Sequence, residues 1–274
     1  MAKNYEELDI TDDFMFGKVM EDTDLCREVL ECLLQRKLGT LEPVRSQKEI
    51  RHRKEGRGIR LDIYAKDENG IYDAEMQKKN HDSLKNLDLP KRSRYYQSAI
   101  DMNQLEKNER YWELAETNIV FLCTFDPFGE NRYVYIFRPR CDENTDLILQ
   151  DQTVRYFFNV DYTGENIPKD IRLLYAYIRT GKAGNELTKR IDWAVNRGRK
   201  NEIWKEEYMK ERVVLAEREE WGRIQGLEEG IEKGIEKGTS TTLIGLVGDG
   251  LITAAEAAKR MQITEQEFKE LMAK

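Results

Sequence analysis

The sequence predicts an α/β fold, with one mixed central sheet covered by helices, then a long charged helical arm and a small helical tail. Three observations carry that expectation. Residues 59–77 alternate with the two-residue period of a hairpin. Residues 118–125 (NIVFLCTF) form an apolar run of strand length. Beyond Gly184 the chain turns charged and helical.

Taken in order, residues 12–37 place Phe14, Val19, Leu25, Val29, Leu30, Leu33 and Leu34 at mostly helical spacing. They read as one helix, or two short ones broken near Asp22–Asp24, ending at Gly39. Residues 45–53 are expected to open a β-meander. Ile59, Leu61, Ile63 and Ala65 alternate with Arg60, Asp62 and Tyr64, a half-buried strand. The turn DENG (67–70) leads into a returning strand, 71–77, with Tyr72, Ala74 and Met76 on one face and Asp73, Glu75 and Gln77 on the other. Residues 91–105 have helical patterning, and 118–125 suit a strand buried on both faces. Residues 133–138 and 153–161, rich in aromatic and β-branched side chains, add two strands.

In the arm, glycine recurs every fourth residue at Gly222, Gly226, Gly230, Gly234 and Gly238, with Ile224, Leu227, Ile231 and Ile235 between. Each glycine weakens a helix in water by roughly 0.8–1 kcal/mol relative to alanine. The stripe therefore reads either as a self-association surface, which would make the chain a homo-oligomer, or as a frayed linker. In the tail, Thr253 with Glu256 and Thr264 with Glu267 have capping-box spacing. Two helices sharing Ala257, Met261, Phe268 and Leu271 would form a helix-turn-helix-like pair, whose second helix is too acidic to suggest base reading. The expected domains are residues 1–180, the arm 181–240 and the tail 241–274.

Composition narrows the chemistry. The net charge of −7 argues against a generic polycation, yet residues 44–94 hold 14 Lys/Arg against 9 Asp/Glu, a local +5 that leaves −12 on the remainder. That segment is either a solvated face or the place for a polyanionic partner. No apolar run is long enough to span a bilayer, and the opening MAKNYEELDI is acidic rather than basic then apolar, so neither membrane nor secretion is expected. Cys26, Cys32, Cys123 and Cys141 share no CxxC spacing and have only His52 and His81 beside them. A reducing cytoplasm fits, and any metal would be held by oxygens.

The chemistry concentrates on Asp62, Glu75 and Gln77. Glu75 and Gln77 project from one face of their strand, and the hairpin brings Asp62 within cross-strand reach. Two converging carboxylates repel unless a divalent cation lies between them, and oxygen donors suit Mg²⁺ or Mn²⁺. Such a site suits phosphodiester hydrolysis, with Lys78, Lys79, Lys85, Arg92 and Arg94 on backbone phosphates. The same spacing also fits an ordinary solvent-facing hairpin.

Four ordered motifs add a resemblance. RLDIYAKDENGIYDAEMQ is similar to the Asp…Glu-x-Gln variant of the PD-(D/E)XK nuclease signature. TDDFMFGKVM, KRSRYYQSAID and FLCTFDPFG accompany it in the order found in the PD-(D/E)XK nuclease family transposases. The resemblance implies a restriction-endonuclease-like αβββαβ core and DNA cleavage with Mg²⁺, or Mn²⁺ or Ca²⁺, in recombination or mobile-element biology. It implies that Asp62 and Glu75 bind the metal and that Gln77 stands where the wider superfamily has its lysine. An amide can orient but carries no charge, so Lys79 is the expected substitute, Lys78 being expected on the opposite face. Arg94 and Gln97 are assigned to the site from the following helix, with Arg92 on DNA. Asp13 or Glu21 is the expected acidic companion from the first helix, and Asp126-Pro127 is read as a turn. The competing reading is a weakly active or inactive nuclease scaffold that binds DNA or self-assembles.

Overall fold

A computed structural model describes residues 3–50, 58–78, 88–105 and 108–272. Two units divide the chain, Met1–Lys205 and Glu206–Lys274. In the first, the expected αβββαβ order is present and extended. Helix α1 (Asp13–Met20) buries Phe14, Met15, Phe16, Val19 and Met20. The break foreseen near Asp22 is real, because the Asp22 carboxylate accepts the Leu25 N–H and starts α2 (Thr23–Leu34) as a separate helix. That helix stops before Gly39, since Gln35 takes the left-handed conformation (φ 52°) at its end.

Strands β1 (Arg45–Ile50), β2 (Ile59–Lys66) and β3 (Gly70–Gln77) form an antiparallel meander. The β2–β3 turn is held by Asp67, whose Oδ1 accepts the N–H groups of Asn69 and Gly70 at 2.9 Å each. Gly70 is required there, because a Cβ would lie 2.7 Å from the Glu116 backbone oxygen. Helix α3 (Leu89–Met102) then leads to β4 (Glu116–Cys123), which pairs parallel to β3. Strand β6 (Thr153–Asn159) pairs parallel to β4, and β5 (Val134–Phe137) closes the edge in the order β1-β2-β3-β4-β6-β5. Ile119, Val120 and Phe121 are fully buried, as the apolar run of β4 requires.

Strand β3 departs from its half-buried pattern. It is buried from Gly70 to Met76, including Asp73 and Glu75, because α3 covers the face expected to meet solvent. Leu89, Ala99 and Ile100 of α3 share one apolar cluster with Ile71, Ile119, Phe121 and Phe157 of the sheet. Helices α4 (Lys169–Thr180) and α5 (Glu186–Gly198) complete the unit, burying Ile171, Leu174 and Tyr175, and Ile191 and Val195. The unit thus continues past residue 180, where the sequence reading ended the first domain.

Helix α6 (Glu202–Gly248) is continuous, so residues 240 and 241 lie within one helix. Gly222, Gly226, Gly230, Gly234 and Gly238 have nothing within 4 Å of the position a Cβ would take, and Leu227, Ile231 and Ile235 are exposed. Helices α7 (Ala254–Met261) and α8 (Glu265–Met272) pack Ala257, Ala258 and Phe268 against Leu243. Both tail capping boxes are made, with Thr253 and Thr264 N–H groups donating to Glu256 (2.9 Å) and Glu267 (2.8 Å). No described helix is long and apolar enough to cross a membrane.

Candidate active site

The sheet opens at Asp62. The β2–β3 ladder pairs Ile63 with Ala74 and continues to Lys66 with Ile71, but no pair joins Asp62 to Glu75. On the other edge of β2, Ser46 pairs with Ile63 and Lys48 with Leu61, while Gln47, at φ 51°, makes no ladder pair with Asp62. Strand β3 meanwhile stays paired with β4 through Gln77 and Cys123. Two side chains bridge the opening. The Asp62 N–H donates to Glu75 Oε1 at 2.8 Å, and the Met76 N–H donates to Asp62 Oδ2 at 3.1 Å. Each carboxylate thereby satisfies an amide that the divergence deprives of a strand partner.

A cavity of about 340 Å³ fills the opening, lined by Thr11, Asp13, Arg60, Asp62, Glu75, Met76, Gln77, Lys78, Arg92 and Tyr96. A larger one, about 570 Å³, lies by Glu28, Glu31, Arg36, Lys37 and Glu186. Charges there are taken up in ion pairs, Lys37–Glu31 at 2.6 Å, Arg36–Glu116 at 2.6 Å and Lys189–Glu186 at 2.7 Å, and none of the site residues expected from the sequence lines it.

Burial and like charge dominate its electrostatics. Asp62 is held well above the usual carboxylate range by burial, then by Glu75 and Asp13. Glu75 is raised by burial and by Asp73, against the opposing Asp62 N–H and Arg92. Asp73 is fully buried, and burial pushes its carboxyl up strongly. Among the described residues no N–H donor reaches either Asp73 oxygen. The neighbouring Glu75 carboxyl, two residues along the same face, is itself raised by burial and by Asp73, so two buried acids lie side by side.

Arg92 reaches this acidic group from α3. Its Nη2 donates to Gln77 Oε1 at 2.6 Å and lies 3.8 Å from Glu75 Oε2. Its guanidinium carbon lies 5.0 Å from the Phe121 ring centre and 5.6 Å from that of Tyr96. The Gln77 Nε2 donates to the Lys78 carbonyl at 3.1 Å, which fixes the amide with its oxygen toward Arg92. Lys78, expected on the opposite face, lines the same cavity because the strand ends at Gln77, and it pairs with Asp12.

The structure therefore gathers Asp62, Glu75, Gln77, Lys78 and Arg92 around one cavity. Of the two acidic candidates on the first helix, Asp13 lines it, whereas Glu21 pairs with Lys18 at 3.4 Å and accepts the Ser46 hydroxyl. Arg94 is exposed and Gln97 is buried, donating to Asp101 at 2.9 Å; neither lines the cavity. Lys79 and Lys85 lie outside the described residues. Asp126 is a turn residue, accepting the N–H groups of Phe128, Gly129 and Asn131 and the Tyr135 hydroxyl. Sequence reasoning missed Asp73 and Arg60, whereas Tyr96, one of the residues of KRSRYYQSAID that could bind phosphate or orient the hairpin, lines the cavity. The signal for Asp73 was its place two residues before Glu75, masked by assigning that face to solvent.

A divalent cation fits the donor set. Asp62 and Glu75 each commit one oxygen to a backbone amide, and burial and repulsion from neighbouring acids outweigh the nearby Arg60 and Arg92 in holding both carboxyls up. Among the described residues no cluster of three or more His, Cys, Asp or Glu has metal-holding geometry. Two carboxylates are sufficient for Mg²⁺, which keeps several waters of its own.

Comparison with known proteins bears on this geometry. A family model described as PD-(D/E)XK nuclease family transposase matches residues 11–156, a span that holds every residue lining the cavity. No curated protein and no solved structure matches the chain.

Proposed function

The chain belongs to the PD-(D/E)XK nuclease family transposases, and from that premise we propose that it is a divalent-metal-dependent DNA endonuclease. The observation that carries this reading is the opening of the sheet at Asp62, which turns two strand carboxylates toward one cavity. Asp62 and Glu75 would hold Mg²⁺ or Mn²⁺. The cation, when bound, lowers the pKa of the attacking water and offsets charge on the phosphoryl oxygens.

The chain's own residues do the rest. Asp62 and Glu75 are oriented by the backbone amides they accept, so their remaining oxygens are aimed without help from a loop. Lys78 and Arg60 line the cavity and suit phosphates flanking the cleaved bond. Lys79 and Lys85 follow in the sequence as further proposed phosphate contacts. Glu75 is itself buried, which limits the screening of its charge by bulk water. Recombination or mobile-element biology is the setting we propose for such cleavage.

The test is conversion of supercoiled DNA to nicked or linear forms with Mg²⁺ or Mn²⁺, comparing wild type with Asp62→Asn and Glu75→Gln. Metal-dependent cutting that both variants lose is expected. No cutting by wild type, or equal cutting by the variants, overturns the reading.

One observation favours a second role beside it. Leu227, Ile231 and Ile235 line the glycine-spaced helix and are exposed, which suits pairing of α6 with a second copy. Sedimentation of the full chain against a chain ending at Lys200 should show loss of self-association; an unchanged state excludes it.

A further inference from the structure

We infer that Arg92, reaching in from α3, supplies the positive charge that strand β3 lacks at Gln77, and that Gln77 is the dock that holds it. This rests on the nuclease reading above. The placement is specific. Arg92 Nη2 donates to Gln77 Oε1 at 2.6 Å and stands 3.8 Å from Glu75 Oε2. Its guanidinium lies over Phe121 and Tyr96, and Phe121 in turn stacks on Phe157 at 5.3 Å, so the charge rests on the core rather than on a mobile surface.

Only an acceptor at position 77 can make this bond. Gln77 presents its oxygen to Arg92 because its nitrogen is engaged by the Lys78 carbonyl. A lysine at 77 would set two cations against each other. A strand lysine and a docked arginine are therefore alternative ways to charge one site. The Arg92 Nε is buried without a partner among the described residues, a donor in reserve for an oxygen entering the cavity.

The chemical role follows from the balance of the reaction. The oxygen of water bonds to phosphorus, one ester P–O bond breaks, the attacking water releases a proton to solvent, and the departing oxygen takes one from solvent. Arginine keeps its proton throughout, so Arg92 cannot serve as the base. It can offset negative charge that builds on the phosphoryl oxygens, where fixed donors have their largest effect.

The test moves the charge. Arg92→Met keeps the apolar stem over Phe121 and Tyr96 and should cut DNA at least ~100-fold more slowly, the usual loss for one such donor. Calorimetric titration should show Mn²⁺ bound several-fold more tightly by this variant, because a cation 3.8 Å from Glu75 is gone. Gln77→Lys alone should give no gain. Arg92→Met combined with Gln77→Lys should recover cleavage at least about tenfold over Arg92→Met.

Mn²⁺ binding that is unchanged or weakened in Arg92→Met, or a double variant no better than the single one, overturns the inference. Wild type that binds Mn²⁺ without cutting DNA overturns the nuclease reading, while tighter Mn²⁺ binding by Arg92→Met would still uphold the charge placement. Wild type that takes up no Mn²⁺ overturns both. Thermal melts accompany each variant, and Arg92→Gln carries the same readouts where Arg92→Met fails to fold.

Discussion

Replacing Asp73 by Asn should stabilise the metal-free protein at neutral pH. Asp73 is fully buried, and among the described residues no N–H donor reaches its oxygens. A buried, unpaired polar group costs about 1–3 kcal/mol, and more when charged. Asparagine keeps the shape and removes the charge of one of two neighbouring buried acids. The expected gain at pH 7.5 is therefore about 1–3 kcal/mol, or roughly 2–12 °C in Tm for a unit of this size. The sign with pH is fixed by the direction of the shift. The folded pKa of Asp73 is raised, so above its unfolded value of about 3.9 the native state binds more protons than the unfolded state. Stability falls as pH rises through that window, and the variant's advantage grows with it. Urea unfolding in EDTA from pH 5 to pH 8 measures both. A variant less stable at pH 8, or an advantage equal at pH 5 and pH 8, would refute the reasoning.

Asp126 should behave in the opposite sense. Burial would raise its pKa, but hydrogen bonds from Tyr135, Phe128, Asn131 and Gly129 outweigh that and hold it below the usual range. Asp126→Ala should cost about 2 kcal/mol at neutral pH, and the wild-type advantage should fade as pH drops below about 4 through the folded pKa; urea midpoints read it, and an advantage that persists at low pH would contradict it. In the arm, Gly230→Ala with Gly234→Ala should raise helix stability by roughly 1 kcal/mol per site, since a Cβ at either meets nothing within 4 Å. Circular dichroism melts of the full chain would show this as a later loss of helix, and an earlier loss would mean that the stripe is in contact with something.

The sheet was legible in the sequence because its signals are local. Alternation over 59–65 and the apolar run in β4 report burial one residue at a time, and both strands are present within two residues of expectation. Asp62, Glu75 and Gln77 were legible for the same reason, since strand period and a short turn fix their faces. What could not be read is what covers them. Whether Asp73 and Glu75 meet water or α3 depends on a contact between segments far apart in sequence, and the pattern of β3 alone says only that one face is polar. The fate of KRSRYYQSAID followed from the same gap. Arg92 and Tyr96 turn toward the cavity while Arg94 is exposed and Gln97 packs aside, a partition set by how α3 sits on Phe121. Asp13 was separable from Glu21 only once α1 was placed against β2.

The position of the site follows from how β3 is shared between its neighbours. Against β4 it is registered over eight residues, Gly70 to Gln77, but against β2 over only four, Ile71 to Ala74. Glu75, Met76 and Gln77 are thus held rigidly on one edge and open on the other, while Ile59 to Leu61 of β2 are held from outside by β1. The opening leaves the Asp62 and Met76 amides without strand partners, and the two carboxylates themselves accept them. Each acid therefore has a structural duty besides any chemical one, and the two can be separated. Asp62→Ala orphans the Met76 amide and should lose about 1–3 kcal/mol of stability together with cleavage. Asp62→Asn keeps an oxygen for that amide and removes only the charge, so it should retain the wild-type unfolding midpoint within about 1 kcal/mol while losing metal uptake and cleavage. A destabilisation equal to that of Asp62→Ala would mean that the ionised carboxylate, and not merely its oxygen, holds the strands at this opening.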